Sequence, residues 1–418
     1  MSEKIRGNNP FSALKHHNFR LFWSGRAVSL IGSWVQRASQ SWLVLQMTDS
    51  PLKLGLVNAA RFMPVIFLSL YAGVLCDRIP KKRVILVTQT GLMLQALILS
   101  ILVFTGKAQY WHILLLSIMD GICTAFDNPA RQSMISDTVP REDVLNAISL
   151  NSAIVNGARI IGPAIGGFAM DVFGPALAFF INAISFLFVI VALLMMKLPE
   201  KLSQVKKKGT FSEIKEGLQY SLKTPTIRTV LGMVSFTSMF ALNLSVLVPV
   251  FAAQVLDMSA TGYGLLMSFM GAGAVLGAFG IASLSHRGPQ TLLIYTGAAA
   301  VCILEMTMIL PHTFMTAAVV MFGIGLMQIT YSATCNSTLQ LTAPDHLRGR
   351  VMSLYSMLNG GVTPFGNTIA GAVTEFAGAG VGFFFCGFMG LCSTAFLFSQ
   401  HKRHSREADQ RAGFNTPM

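Results

Sequence analysis

Charge is scarce in this sequence. Only 12% of its 418 residues are Asp, Glu, Lys or Arg, while 53% are hydrophobic. A soluble chain of this length needs far more charge to cover its surface. Its six cysteines, Cys76, Cys123, Cys302, Cys335, Cys386 and Cys392, show no Cys-x-x-Cys spacing. A disulfide frame and a thiolate metal site are therefore not expected, and the cysteines read as small apolar fillers. There is no Gly-x4-Gly-Lys-Ser/Thr loop, which removes ATP as the direct energy source. The apolar runs hold no histidine cluster and no nucleophile–base set, so no enzyme activity, metal or cofactor is expected. Met1 to Phe19 has neither an apolar core nor a small-residue cleavage site, so no cleaved signal peptide is expected.

What the chain does have is a series of apolar runs of about 20 residues, each long enough for a ~30 Å hydrocarbon core. Twelve spans are predicted, at 20–47, 53–76, 83–105, 111–134, 146–170, 175–196, 227–255, 262–284, 289–310, 314–340, 350–375 and 380–399. The formal charge of +13 would suit a nucleic-acid partner until it is mapped. With odd-numbered spans running outward, only Lys53 and Lys107 of the 31 basic residues fall in outside loops. Four more, Arg26, Arg37, Arg61 and Arg159, fall well inside spans, and the rest lie in inside loops and tails or at the inner edges of spans. That bias sets the orientation, with both termini cytoplasmic, and explains the charge without nucleic acid.

The runs form two copies. A shift of 204 residues brings Thr138-Val-Pro140 onto Thr342-Ala-Pro344, Gly157 onto Gly361, Gly162 onto Gly366, Gly167 onto Gly371 and Gly174 onto Gly378 without a gap. Asp171 falls on Glu375 under the same shift. An even number of spans per copy makes this a parallel repeat, whose substrate site is expected between the halves near mid-membrane. The predicted fold is an all-α membrane protein of twelve helices in two six-helix bundles. The bundles occupy 1–196 and 227–400, joined by a cytoplasmic linker at 197–226 and followed by a basic tail at 401–418. In the linker, Phe211, Ile214, Leu218 and Leu222 recur at helical spacing and read as an interfacial helix.

Gly73-Val-Leu-Cys-Asp77-Arg78-Ile-Pro80-Lys81-Lys82-Arg83 closes the second span. It resembles the signature loop of the major facilitator superfamily, although Pro80 stands where glycine is common. Asp127-Asn-Pro129-Ala-Arg131-Gln132, Val139-Pro-Arg-Glu, Asn146-Ala-Ile-Ser-Leu-Asn151-Ser152 and Ala343-Pro344-Asp345-His-Leu-Arg348-Gly349-Arg350 narrow the likeness. Together they resemble the drug:proton antiporter branch, which includes enterobactin exporters and macrolide-efflux proteins, over residues 12–400. Arg159-Ile-Ile-Gly162-Pro163-Ala-Ile-Gly166-Gly167 is similar to the antiporter motif of drug exporters. Small residues there allow close helix approach. The resemblance implies that this helix meets the eighth span, where Gly271, Gly273, Gly277 and Gly280 supply small surfaces. It also implies that Gly73, Asp77, Arg78, Lys81, Arg83 and Arg131 form a cytoplasmic gate in which Asp77 meets Arg131.

Arg26, Arg37, Arg61, Asp120, Asp127, Arg159 and Glu305 fall inside spans. A charge at mid-bilayer costs roughly 3 kcal/mol or more, so each should face water or a partner. Arg26 and Arg37 share one helical face with Gln40, and Asp120, Thr124, Asp127 and Arg131 form a stripe on another helix. Arg37, Arg159, Gln40, Arg26, Arg61, Gln328 and Tyr331 are the expected substrate-cavity residues. Asp120, then Asp127, then Glu305 are the expected proton-coupling acids, with Arg37 or Arg159 beside Asp120. Glu305, on a helix peripheral in this fold, reads as structural or partly exposed. Many drug antiporters have an arginine where this chain has Asp120, so the coupling residue is not carried over from them.

These readings favour a proton-coupled exporter of a siderophore or drug-like compound in the bacterial inner membrane, with a role in multidrug resistance as one form of it. Its partners are the lipid bilayer, a small organic substrate and protons; a periplasmic or outer-membrane export protein is a further candidate. Two alternatives stay open. One is an uncoupled facilitator, importer or lysolipid flippase of the same fold; the other is a non-transporting scaffold or receptor.

Overall fold

The computed structural model describes residues 11–197, 210–283, 291–310 and 312–413. Helices account for nearly all of them. In chain order they are α1 (His17–Thr48), α2 (Pro51–Arg78), α3 (Lys81–Phe104), α4 (Tyr110–Thr138), α5 (Val144–Phe173) and α6 (Pro175–Met195). After the linker come α7 (Thr210–Lys223), α8 (Pro225–Phe240), α9 (Leu244–Gln254), α10 (Ala260–Ser283) and α11 (Thr291–Thr307). The last four are α12 (Phe314–Thr342), α13 (Asp345–Gly361), α14 (Thr363–Ala377) and α15 (Ala379–Gly413).

Nine helical stretches among the described residues are long and apolar enough to cross a membrane, and Leu292–Thr307 is a shorter apolar helix. α1 is 32 residues long but falls outside the nine. Its arginines, glutamines and serines dilute its hydropathy, which is the mark of a helix turned toward polar partners. The seventh predicted span is two helices, α8 and α9, parted at Ala241–Asn243. The eleventh is also two, α13 and α14, parted at Val362.

The repeat reappears as geometry. α5 turns into α6 at Gly174, with φ 79°, and α14 turns into α15 at Gly378, with φ 83°. That left-handed conformation strains any residue with a Cβ, so both copies need glycine at the same register position.

Two compact units divide the chain. Unit 1 comprises 1–48, 60–205 and 259–268; unit 2 comprises 49–59, 206–258 and 269–418. In unit 1, α1 packs on α5 and α6, and α3 packs on α4 and α6. Between α1, α3 and α6 runs a buried amide chain. Asn182 Nδ2 donates to Gln36 Oε1 at 2.6 Å, and Gln36 Nε2 donates to Gln95 Oε1 at 2.9 Å. Such a chain fixes helix register where apolar surfaces alone would slide. The segment before α1 is held by the start of α5: Ser12 and His16 bond Asp143, at 2.6 and 2.7 Å, and Ala13 N donates to Asn146 Oδ1. That gives the Asn146 motif a structural role which its spacing alone did not reveal.

In unit 2, α11 packs on α12 and α15, and α8 packs on α13 and α15. The linker helix α7 lies against α8 and α13, with Glu216 bonded to Arg350. Leu218 and Leu222 remain exposed. No disulfide joins the described cysteines, among them Cys123, Cys302, Cys335, Cys386 and Cys392.

Candidate functional site

The charges of unit 1 gather into two clusters along α1 and α4. The α4 stripe arises because i, i+4, i+7 and i+11 share one face of a helix. At its upper end Asp120 Oδ2 lies 2.7 Å from Arg61 Nε, and Thr124 Oγ1 donates to Asp120 Oδ1 at 3.2 Å. The direct partner of Asp120 is therefore Arg61 of α2, not Arg37 or Arg159 as expected. Gly121 explains it: a Cβ there would fall 2.1 Å from the Arg61 carbonyl oxygen. Without that glycine, α2 and α4 could not approach closely enough to pair the charges.

Arg37 sits within the field of Asp120, Arg61 and Arg159. Its guanidinium lies over the Trp34 ring, 4.6 Å from the centroid, and Arg159 reaches the same ring at 5.6 Å. Two cations thus share one indole, an arrangement worth ~1 kcal/mol or more per contact once desolvated. Gly162 and Gly166 bring α5 onto α1 here, since a Cβ at Gly162 would meet Trp34 Cβ at 2.3 Å. Gln40, one turn beyond Arg37, donates to Ser117 Oγ of α4 at 2.7 Å.

The second cluster is more tightly satisfied. Asp127 accepts from Thr88 Oγ1 at 2.8 Å and Gln89 Nε2 at 3.0 Å, and pairs with Arg131. Arg26 lies in the field of Arg131 and Asp127 and 6.0 Å from the Phe22 ring centroid. Its Nε and Nη1 are buried without a hydrogen-bond partner. Among the described residues, no ion pair joins Arg26, Arg37 or Arg159. Trp34 and Gly121 are the members sequence reading missed; the only signal was a tryptophan midway between two arginine-bearing faces and a glycine next to the buried acid.

The family described as transmembrane secretion effector matches residues 8–418 of this sequence. The chain belongs to that family, a branch of the major facilitator superfamily. The staphyloferrin A transporter of Staphylococcus aureus is 23% identical over 92% of this chain and 96% of its own length. The multidrug efflux pump Tap of Mycobacterium tuberculosis is 29% identical over 83% of this chain and 84% of its own. Macrolide efflux protein A of Streptococcus pyogenes is 20% identical over 90% and 95%. Among solved structures, the bacterial homologue of the human lysosomal transporter Spinster aligns with a TM-score of 0.76 and 14% identity, covering 95% of this chain and 98% of that one. The nucleoside transporter NupG gives 0.76 and 11%, covering 94% and 99%. At such identities these two likenesses speak to fold alone. The chain is a multi-pass membrane transporter and not an enzyme.

In this major facilitator chain, Lys81 at the start of α3 bonds Asp137 at 2.6 Å and the Ser133 carbonyl at 3.1 Å. Arg83 beside it is exposed. Arg131 pairs within its own helix with Asp127; the contact expected between Arg131 and Asp77 falls on a side chain outside those described. The side chains of Asp77 and Arg78, and Gly73, lie outside those described. Gly167 meets α10, as the resemblance implies, through Ala260, and Pro163 meets Gly264. Gly273 and Gly277 instead face Phe322 and Ile329 of α12, so their small surfaces serve a different neighbour.

Unit 2 departs further from expectation. Tyr331 is 3% exposed within an apolar cluster that includes Ile294, Cys335 and Leu339, which is a packing position. Gln328 is half-buried on α12. Glu305, expected to be structural or partly exposed, is wholly buried.

Proposed function

We propose that this transporter is a proton-coupled exporter of a small organic anion, of siderophore or drug-like type. It spans the bacterial inner membrane twelve times and works by alternating access, with both termini in the cytoplasm. The observation that carries this reading is the charge balance of unit 1. Five buried or half-buried arginines stand against two aspartates, and each aspartate already has an arginine of its own. Arg26, Arg37 and Arg159 are left as cations without an ion pair among the described residues, and Arg37 and Arg159 are held side by side over Trp34. A guanidinium presents donors in a planar fork suited to a carboxylate or catecholate. An anionic substrate would supply the charge that α1 and α5 lack. The relative named as a staphyloferrin A transporter supports the siderophore class, and those named for multidrug and macrolide efflux support the outward direction.

Asp120 is the coupling acid in this reading. Its partner Arg61 stands on a different helix, so helix movement that separates the two would leave the carboxylate without its cation. The test is uptake into inside-out vesicles under an imposed pH gradient, with a hydroxycarboxylate siderophore and a macrolide as substrates. Wild type concentrates one of them and alkalinises the lumen. Asp120→Asn should abolish uphill transport while sparing downhill exchange. If that variant still concentrates substrate, the coupling acid is another residue.

A further inference from the structure

Glu305 stands in the last turn of α11, 0% exposed. Both carboxyl oxygens are buried, and neither has a hydrogen-bond partner. α11 packs on α12 and α15, and neither brings a cation to it. α12 contains no charged residue, and the first basic residues of α15, His401 and Lys402, come fifteen and sixteen positions after Cys386. The titratable groups whose fields Glu305 reaches are thiols, Cys302 of its own helix and Cys386 of α15. Tyr331 and Cys335, the titratable groups of α12, belong to a separate cluster with Tyr295. Glycines draw α15 down over this place: a Cβ at Gly387 would fall 2.4 Å from the Cys302 carbonyl oxygen, and one at Gly390 would fall 2.7 Å from Cys302 Sγ.

An ionised carboxylate with no counter-ion and no donor is not sustained in such a setting; the group takes up a proton instead. We propose that Glu305 is a proton-binding site of unit 2, charged with a proton while α11 and α15 close over it and emptied when they part. A protonated carboxyl has one O–H to donate. Unit 2 also holds an orphan acceptor: Asn243 Oδ1, 1% exposed and without a donor, in the break between α8 and α9. Cys386 hydrogen-bonds Asn243 and lies within the field of Glu305. Backbone freed at a helix break is where transporters of this kind place ion paths, so the break gives the proton a way out of the apolar interior. This site is independent of the Asp120 reading, which concerns unit 1.

Infrared spectroscopy of the purified protein in nanodiscs at neutral pH reads the site directly, because a carboxylic acid has a C=O stretch that carboxylates lack. Wild type should show that band. Glu305→Gln should lose it, Glu305→Asp should keep it at a shifted frequency, and Asp120→Asn should leave it unchanged. Replacing choline chloride with sodium chloride should also leave it unchanged. A wild-type spectrum without the band, or a band that survives Glu305→Gln unaltered, overturns the proposal. If Glu305→Gln does not fold, a band unmoved in Glu305→Asp overturns it equally. Loss of the band on adding sodium would make the site an alkali-ion site and refute the proton assignment. Uphill transport by Asp120→Asn with the band intact would remove only the unit 1 reading.

Discussion

Arg61 is the residue whose role sequence inspection most understates, because an arginine within reach of a helix end is expected to extend toward the interface. Here it holds Asp120 at 2.7 Å. Arg61→Leu leaves a carboxylate without its cation, and breaking such a pair costs about 3 kcal/mol or more. The thermal midpoint in detergent should fall, and Arg61→Leu combined with Asp120→Leu should recover most of the loss. No recovery would mean that Arg61 acts by packing rather than by charge. Arg37 belongs to the other class, a cation seated on an indole with Nε buried and unbonded. Arg37→Lys keeps charge and loses the fork, so substrate affinity should fall several-fold with stability little changed. Arg37→Ala should reduce binding further, and export unchanged in that variant counts against a substrate role. The stripe of acids on α4 was legible from spacing alone. The choice of Arg61 over Arg37 as partner was not, because it depends on how near two helices come, and a single sequence does not state that distance.

At the scale of helices, glycine decides which charges meet. Gly121 and Gly157 make a controlled comparison, since both lie inside long helices of unit 1. A Cβ at Gly121 collides with the α2 backbone, whereas one at Gly157 meets nothing within 4 Å. Gly121→Ala must push α2 away, at a cost of about 1–3 kcal/mol for overpacking, and it loosens the Arg61–Asp120 pair as well. Gly157→Ala should be neutral or stabilise by about 0.5–1 kcal/mol through helix propensity. Chemical denaturation of both variants checks the contrast, and equal effects would remove the close-approach argument. Positions of helices were readable because apolar runs and the 204-residue repeat are periodic signals. The break at Ala241–Asn243 was not, since apolar residues flank it on both sides; the one at Val362 did carry a signal, Gly360-Gly361 before it and Pro364 after it, which the apolar-run count passed over. The same limit explains why Gly273 and Gly277 were matched to the wrong neighbour. A small surface marks close approach, but does not name the helix that approaches.

For the whole molecule, the repeat predicts equivalence, and a pair of carboxylates tests it. Asp171, at the end of α5, accepts from Ser259 Oγ at 2.5 Å and Thr261 N at 2.9 Å, capping α10. Glu375, its counterpart at the end of α14, accepts from Ser50 Oγ at 2.7 Å and Leu52 N at 3.1 Å, capping α2. The shift that superposes the sequences thus superposes two helix caps, each supplied by a neighbouring helix rather than by the capped chain itself. An anionic acceptor at a helix N-terminus satisfies free amides and opposes the helix dipole, and its loss costs about 1 kcal/mol. Asp171→Ala and Glu375→Ala should therefore each lower unfolding free energy by that amount, while Asp171→Asn, which keeps an acceptor, should lose less. The two caps lie in separate compact units and share no partner, which is the condition for additivity. The double variant should lose about 2 kcal/mol, twice the single cost. A double loss well away from that sum would mean that the two units do not respond independently, and that a cap in one is felt by the other.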